Sequence, residues 1–147
     1  MANNHAHGAF AELEMLAADG TTRIVLTPHV NGFNLNKSVD NAEDTSLKPA
    51  GDFKSYLQGL RSGTSDFTLM PPDDGSPLFA INAILDKPAR NGTTIYYYPF
   101  GKVTGKYMET AKGLFTNPGS ISVSNSGAVT APVGLQITGN PVPSLVP

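Results

Sequence analysis

The stretch Ser76-Pro-Leu-Phe-Ala-Ile-Asn-Ala-Ile-Leu-Asp-Lys87 is the one segment of the chain whose apolar residues recur convincingly at helical spacing. Leu78, Ile81 and Leu85 fall three and four apart with Ile84 beside them, a stripe that has to be buried against something. Ser76 carries the hydroxyl of a good N-cap. Pro77 suits the first helical position, where its missing N–H costs nothing. Lys87 closes the helix near its negative end, and Pro88 forbids it to continue. On either side the chain reads as strands and turns. The expected fold is therefore mainly β: an antiparallel β-sandwich or barrel flanked by a single α-helix at residues 76–87.

Towards the N-terminus, Pro71-Pro-Asp-Asp-Gly75 ends a strand at Asp66–Met70 that points Phe67 and Leu69 inward. Gly59–Thr64 reads as a turn, so Asp52–Gln58 and Asp66–Met70 are expected to form a hairpin. Asn34–Glu43 alternates weakly. Asp40, Glu43 and Asp44 lack the ligand spacing of a calcium loop and read as solvated. Asn31-Gly32 breaks the chain, and Arg23–Thr27 is the first clear strand, with Ile24 and Leu26 on one face. Residues 1–20 read as a flexible N-terminal arm, with Ala9–Ala18 either helical or extended. His5 and His7 form a pair without a third ligand nearby, so no metal site is assigned to them.

Towards the C-terminus, Arg90-Asn-Gly92 turns the chain into a strand at Thr93–Tyr98. Its tyrosine run is read as core and cross-strand packing, because base-stacking surfaces interleave aromatics with Lys and Arg. Tyr98-Pro-Phe-Gly101 fits a type I turn. Lys102–Thr110 is expected as a strand and Asn117-Pro-Gly119 as a loop. Ala128–Thr138 has the cleanest alternation: Val129, Ala131, Val133, Leu135 and Ile137 share one face, and Thr130, Gln136 and Thr138 the other. Pro132 cannot donate to a ladder, so this strand should carry a bulge or lie partly at an edge. Residues 140–147 read as an extended tail, leaving 21–139 as the domain.

A chain of 147 residues suits one domain. It has no cysteine for a disulfide or a zinc-thiolate site, no apolar run near the roughly 18 residues of a membrane helix, and no basic signal-peptide start. Expectation therefore places it in the cytoplasm, with no membrane partner. The net charge is −2, from 10 basic and 12 acidic residues, which gives no sign of nucleic-acid binding. Its distribution says more: the 35 residues from Gly113 to Pro147 carry no charge. Either this is a polar surface that stays soluble without charge, or it is covered by other copies of the chain. On the second reading Thr130, Gln136 and Thr138 are the candidate subunit-interface residues.

Catalytic signatures are thin. His29 is the only histidine away from the N-terminus, and no G-x-S-x-G elbow presents a serine. Gly101-Lys102 lacks the earlier glycine of a phosphate loop, and adjacent Asp73 and Asp74 do not face a shared substrate. No catalytic, cofactor-binding or metal residue is assigned, and the chain is not expected to be an enzyme.

Several short runs taken in order carry a resemblance: Ala42-Glu-Asp-Thr-Ser46, Phe53-Lys-Ser-Tyr-Leu-Gln-Gly-Leu-Arg61, Thr64-Ser-Asp-Phe-Thr-Leu69, then Tyr97, Pro99 and Gly101, and a close in Thr138-Gly139. Over residues 22 to 140 this resembles the major tail (tail tube) proteins of long-tailed bacteriophages. Pro71-Pro72 departs from that pattern. The resemblance implies a two-sheet β-sandwich with one helix, six copies to a ring, and rings stacked into a tube in the virion tail. It further implies assembly in the host cytoplasm, contacts with tape-measure, tail-terminator and tail-tip proteins, and double-stranded DNA passing through without specific binding. A capsid decoration protein and a carbohydrate- or ligand-binding β-sandwich with Tyr96–Tyr98 as its platform are the rival expectations.

Overall fold

A computed structural model describes residues 11–43, 56–86, 92–125, 127 and 129–147. The elements are β1 (Glu12–Leu16), β2 (Arg23–Val25), β3 (Val30–Glu43), β4 (Tyr56–Leu69), α1 (Ser76–Leu85), β5 (Thr93–Tyr98), β6 (Tyr107–Pro118) and β7 (Ala131–Leu145). All seven strands join one antiparallel sheet in the order β2-β1-β5-β6-β7-β4-β3. Among the described residues α1 is the one α-helix, as the sequence led us to expect.

That single sheet curls on itself. Phe33 on β3 and Tyr97 on β5 stand four strands apart, a separation of roughly 19 Å if the sheet were flat. Their ring centroids are 5.7 Å apart. The Tyr97 hydroxyl also donates to Ser65 Oγ on β4 at 2.6 Å, and Ser65 Oγ donates to the Asn34 carbonyl at 2.7 Å. The two edge strands are joined through one short 3₁₀ turn, Thr27–His29, so the sheet's ends must approach there. The result is the barrel-like layer expected of the sequence, built from one hydrogen-bonded sheet. Its interior holds Leu13, Met15, Leu26, Phe67, Leu69, Ile95, Tyr97, Ala131, Val133, Leu135 and Ile137, and α1 adds Ile81 and Ile84.

Several expectations need correction. The supposed N-terminal arm contains β1, which lies between β2 and β5 with Leu13 and Met15 fully buried; extended pairing prevails because this short apolar run fills the sheet. His5 and His7 lie outside the described residues. The expected turn at Gly59–Thr64 is uninterrupted strand, and β4 pairs instead with β3. Its glycines serve close approach: a Cβ on Gly59 would lie 2.8 Å from the Asp40 carbonyl oxygen, and one on Gly63 would lie 3.0 Å from that of Asn36. Phe53 and most of the expected 52–58 strand fall outside the described residues.

The helix begins one residue earlier in its capping. Gly75, at φ 65°, is the N-cap, and Asp74 Oδ1 accepts the Ser76 N–H at 3.1 Å, so the Ser76 hydroxyl caps nothing. It ends at Leu85, and Lys87 and Pro88 lie outside the described residues. Pro77, Ile81 and Ile84 are buried, whereas Leu85 is exposed. Residues 103–106 form a turn, so the strand expected from Lys102 starts at Tyr107 and runs through Asn117-Pro118. The expected C-terminal tail is strand as far as Leu145, because β7 continues past a bulge to pair with β6, Tyr107 opposite Leu145. Pro132 sits one residue beyond the last β6 pair, Pro118 with Val133, where β7 is locally an edge.

Burial leaves a pH signature. The Tyr97 phenol is pushed up to about 12, chiefly by desolvation, and the Tyr98 phenol likewise to about 12 by desolvation and by donating to Glu14. Their ordinary value is 10.0, so the folded chain holds these protons to higher pH than the unfolded chain does. Stability from this source is complete below pH 10 and is lost as pH rises towards 12. We expect circular dichroism to report unfolding in that window together with the rise in tyrosinate absorbance. Full tyrosinate absorbance at pH 10.5 in a still folded chain would contradict it.

Candidate assembly surface

The outward residues of β7 join a broad polar face. Gln136 lies opposite Thr64 on β4, which lies opposite Asn36 on β3, and Asp66 stands between Gly134 and Asn34 in the next row. Ser38 and Ser62 continue the face, their hydroxyls 2.6 Å apart. Lys112 and Leu114 extend it across β6 opposite Thr138 and Gln136. These side chains are exposed, and most are small hydroxyls or amides. Alternation explains the pattern: their strand neighbours Ser65, Phe67, Val133, Leu135 and Ile137 all turn into the barrel.

The structure brings Gln136 and Thr138 together on this face and leaves Thr130 apart. Gln136 Nε2 donates to the Gly63 carbonyl at 2.9 Å, and the Thr138 hydroxyl to the Lys112 carbonyl at 3.4 Å. Thr130 lies six residues back, roughly 20 Å along the strand. There it pairs with Ser122 in a small hairpin that exposes Ile121 and Val123.

A second feature was not anticipated from sequence. The last pair between β4 and β7 is Gly63 with Ile137, yet β3 and β4 stay paired as far as Glu43 and Tyr56. The outer halves of these strands form a two-stranded ribbon leaving the barrel, exposed along its length. Leu60 is 82% exposed, Tyr56 and Leu57 58% each. A lone two-stranded ribbon is marginal in water, which makes its exposed apolar side chains a candidate contact surface. The sequence signal was there in Leu57-Gln-Gly-Leu60, but its glycine suggested a turn.

Near the β2 edge, the buried carboxylate of Glu14 is satisfied within the chain. The Tyr98 hydroxyl donates to Oε1 at 3.0 Å, and Lys102 Nζ to Oε2 at 3.1 Å. Arg23 lies 3.7 Å from Oε1 and stacks 4.0 Å from the centre of the Tyr96 ring. Val146 and Met108 close over Tyr98. Two charged partners offset the desolvation of Glu14, so this cluster fastens a three-residue edge strand and the 99–106 loop to the sheet. The same packing removes the tyrosine platform of the carbohydrate-binding expectation: Tyr97 and Tyr98 are buried, and Tyr96 lies half-buried under Arg23. Among the described residues no three His, Cys, Asp or Glu side chains converge as a metal site.

No family model matches the chain, and no curated protein matches its sequence. Solved structures do match its fold. A chain in the tail of an empty gene transfer agent particle, determined with C6 symmetry, superposes with a TM-score of 0.71 at 14% identity, over 96% of this chain and 98% of that one. A chain in the six-fold symmetrised baseplate of the anti-feeding prophage gives 0.72 at 7% identity, over 99% of both chains. The SPP1 tail tube gives 0.65 at 16% identity, over 96% of this chain and 80% of that one. The chain shares the tail-tube fold with these proteins.

Proposed function

We propose that this protein is a structural subunit of a phage-type tail: six copies close into a ring, and rings stack into the tube through which the genome leaves the particle. The observation that carries the reading is the end-to-end likeness to chains of six-fold tail assemblies, spanning 96% and 99% of this chain. Its role on this reading is architectural, with tape-measure, terminator and tip proteins as tail partners and the virion as its location.

Surface physics supports it. A conduit for DNA must avoid cationic walls, because each phosphate neutralised by Lys or Arg adds binding free energy that would stall the polymer. The broad polar face of β3, β4 and β7 carries hydroxyls and amides with Asp66, and Lys112 only at its margin. The uncharged β7 end of that face, at Gln136 and Thr138, also accepts contact with another copy without burying an unpaired charge, while the β3 and β4 part is left to the lumen. We place Gln136 and Thr138 in such a contact. Electron microscopy of the concentrated protein tests the proposal. Rings or tubes are expected; compact trimers or monomers would overturn it.

A further inference from the structure

The ribbon has two unlike faces. Register between β3 and β4 shifts between Val39–Arg61 and Asn41–Gln58, so Gly59 and Leu60 together oppose Asp40. A bulge of this kind keeps Arg61 and Gln58 on one side of the ribbon and turns Leu60 and Leu57 to the other. On the Arg61 side, at the barrel mouth, lies a cleft of about 310 Å³ lined by Lys37, Val39, Arg61, Tyr107, Ile137 and Pro143 among others. Lys37 crosses it to form an ion pair with Glu109. On the opposite side Leu57 and Leu60 stand exposed among Ala42, Ser38 and Ser62, with Asp40 opposite Leu60 as the one charge on that face.

We propose that Leu57 and Leu60 of one copy enter the cleft of the next, front to back. This rests on the assembly reading above and supplies a contact for it. The cleft is at the small end of binding cavities, with room for one or two apolar side chains. Two of its three charged lining residues, Lys37 and Glu109, already pair with each other, and the third, Arg61, would meet the Asp40 carboxylate that accompanies Leu60, so the guest strands none of them. The partner is a second copy because the chain carries both halves of the contact on opposite sides of one element. Such a heterologous contact propagates and closes into a ring, whereas Leu60 packed on Leu60 would stop at a dimer. Packing on both faces would also support a ribbon that is marginal alone.

Two variants test this contact. Leu60→Asp removes the guest, and Val39→Trp fills the cleft; both positions are exposed, so each variant should keep the parent's circular dichroism. In sedimentation velocity, at concentrations where the parent forms rings, each alone should be monomeric. Mixed in equal amounts they should form a discrete heterodimer, because each supplies the half the other lacks. Leu60→Ser replaces Leu60→Asp should the latter lose its β signal. A mixture that stays monomeric, or a variant that assembles like the parent, would overturn this contact while leaving the tail reading standing. A parent that never assembles would overturn both.

Discussion

Replacing Ile81 with Asp is expected to destabilise the fold by roughly 3–5 kcal/mol, the effect of an uncompensated charge in a core. Ile81 is fully buried on α1, in the same cluster as Leu69, Ile95, Val133 and Leu135 of the sheet. The cluster is apolar on every side, so a carboxylate there must either lose its hydration unpaired or take up a proton. For a chain of this size each kcal/mol moves the melting midpoint by about 2–4 °C, so the fall should exceed about 6 °C. Ile81→Val, which removes one methylene, should cost about 1 kcal/mol. A calorimetric midpoint for Ile81→Asp equal to that of the parent would mean that the helix does not seal the barrel as described.

Placing lysines at Gln136 and Thr138 should leave the subunit folded and stop it from assembling. Both side chains point away from a core face whose Leu135 and Ile137 are untouched by the change. What the folded subunit loses is small: the part-buried Gln136 bond to the Gly63 carbonyl and the longer, exposed Thr138 bond to Lys112, each about 1 kcal/mol. In a ring, every copy would carry two added charges into a face with Lys112 already at its edge, and desolvating each costs several kcal/mol. Circular dichroism should match the parent, and electron microscopy should show dispersed subunits. Normal tubes from the double variant would mean that this face looks into open space within the assembly.

What the sequence made legible follows the strength of its local signals. Ile81 and Ile84 of α1, the inward Phe67 and Leu69, the alternation from Ala131 to Ile137 and the strand at Thr93–Tyr98 all stand where the sequence put them, while Leu85 of the expected stripe is exposed. Those segments bury one face, and burial writes a period into the residues. The ribbon buries neither face within one chain, so no period marks it, and the glycines that admit close strands at Gly59 and Gly63 mimic a turn. β1 stayed undecided between helical and extended because five residues are too few to separate a short buried strand from a helical turn. The same limit applied to the candidate surface. Polarity singled out Gln136 and Thr138, but only the register of β3, β4 and β7 shows which residues of distant segments extend that face and which, like Thr130, stand apart.

The proposed assembly is a six-membered ring with an open axis. End-on class averages of the assembled full-length protein by electron microscopy test it most directly. Six-fold rotational symmetry around a continuous axial channel is expected. Another symmetry, a closed centre, or a population of monomers at high concentration would contradict it.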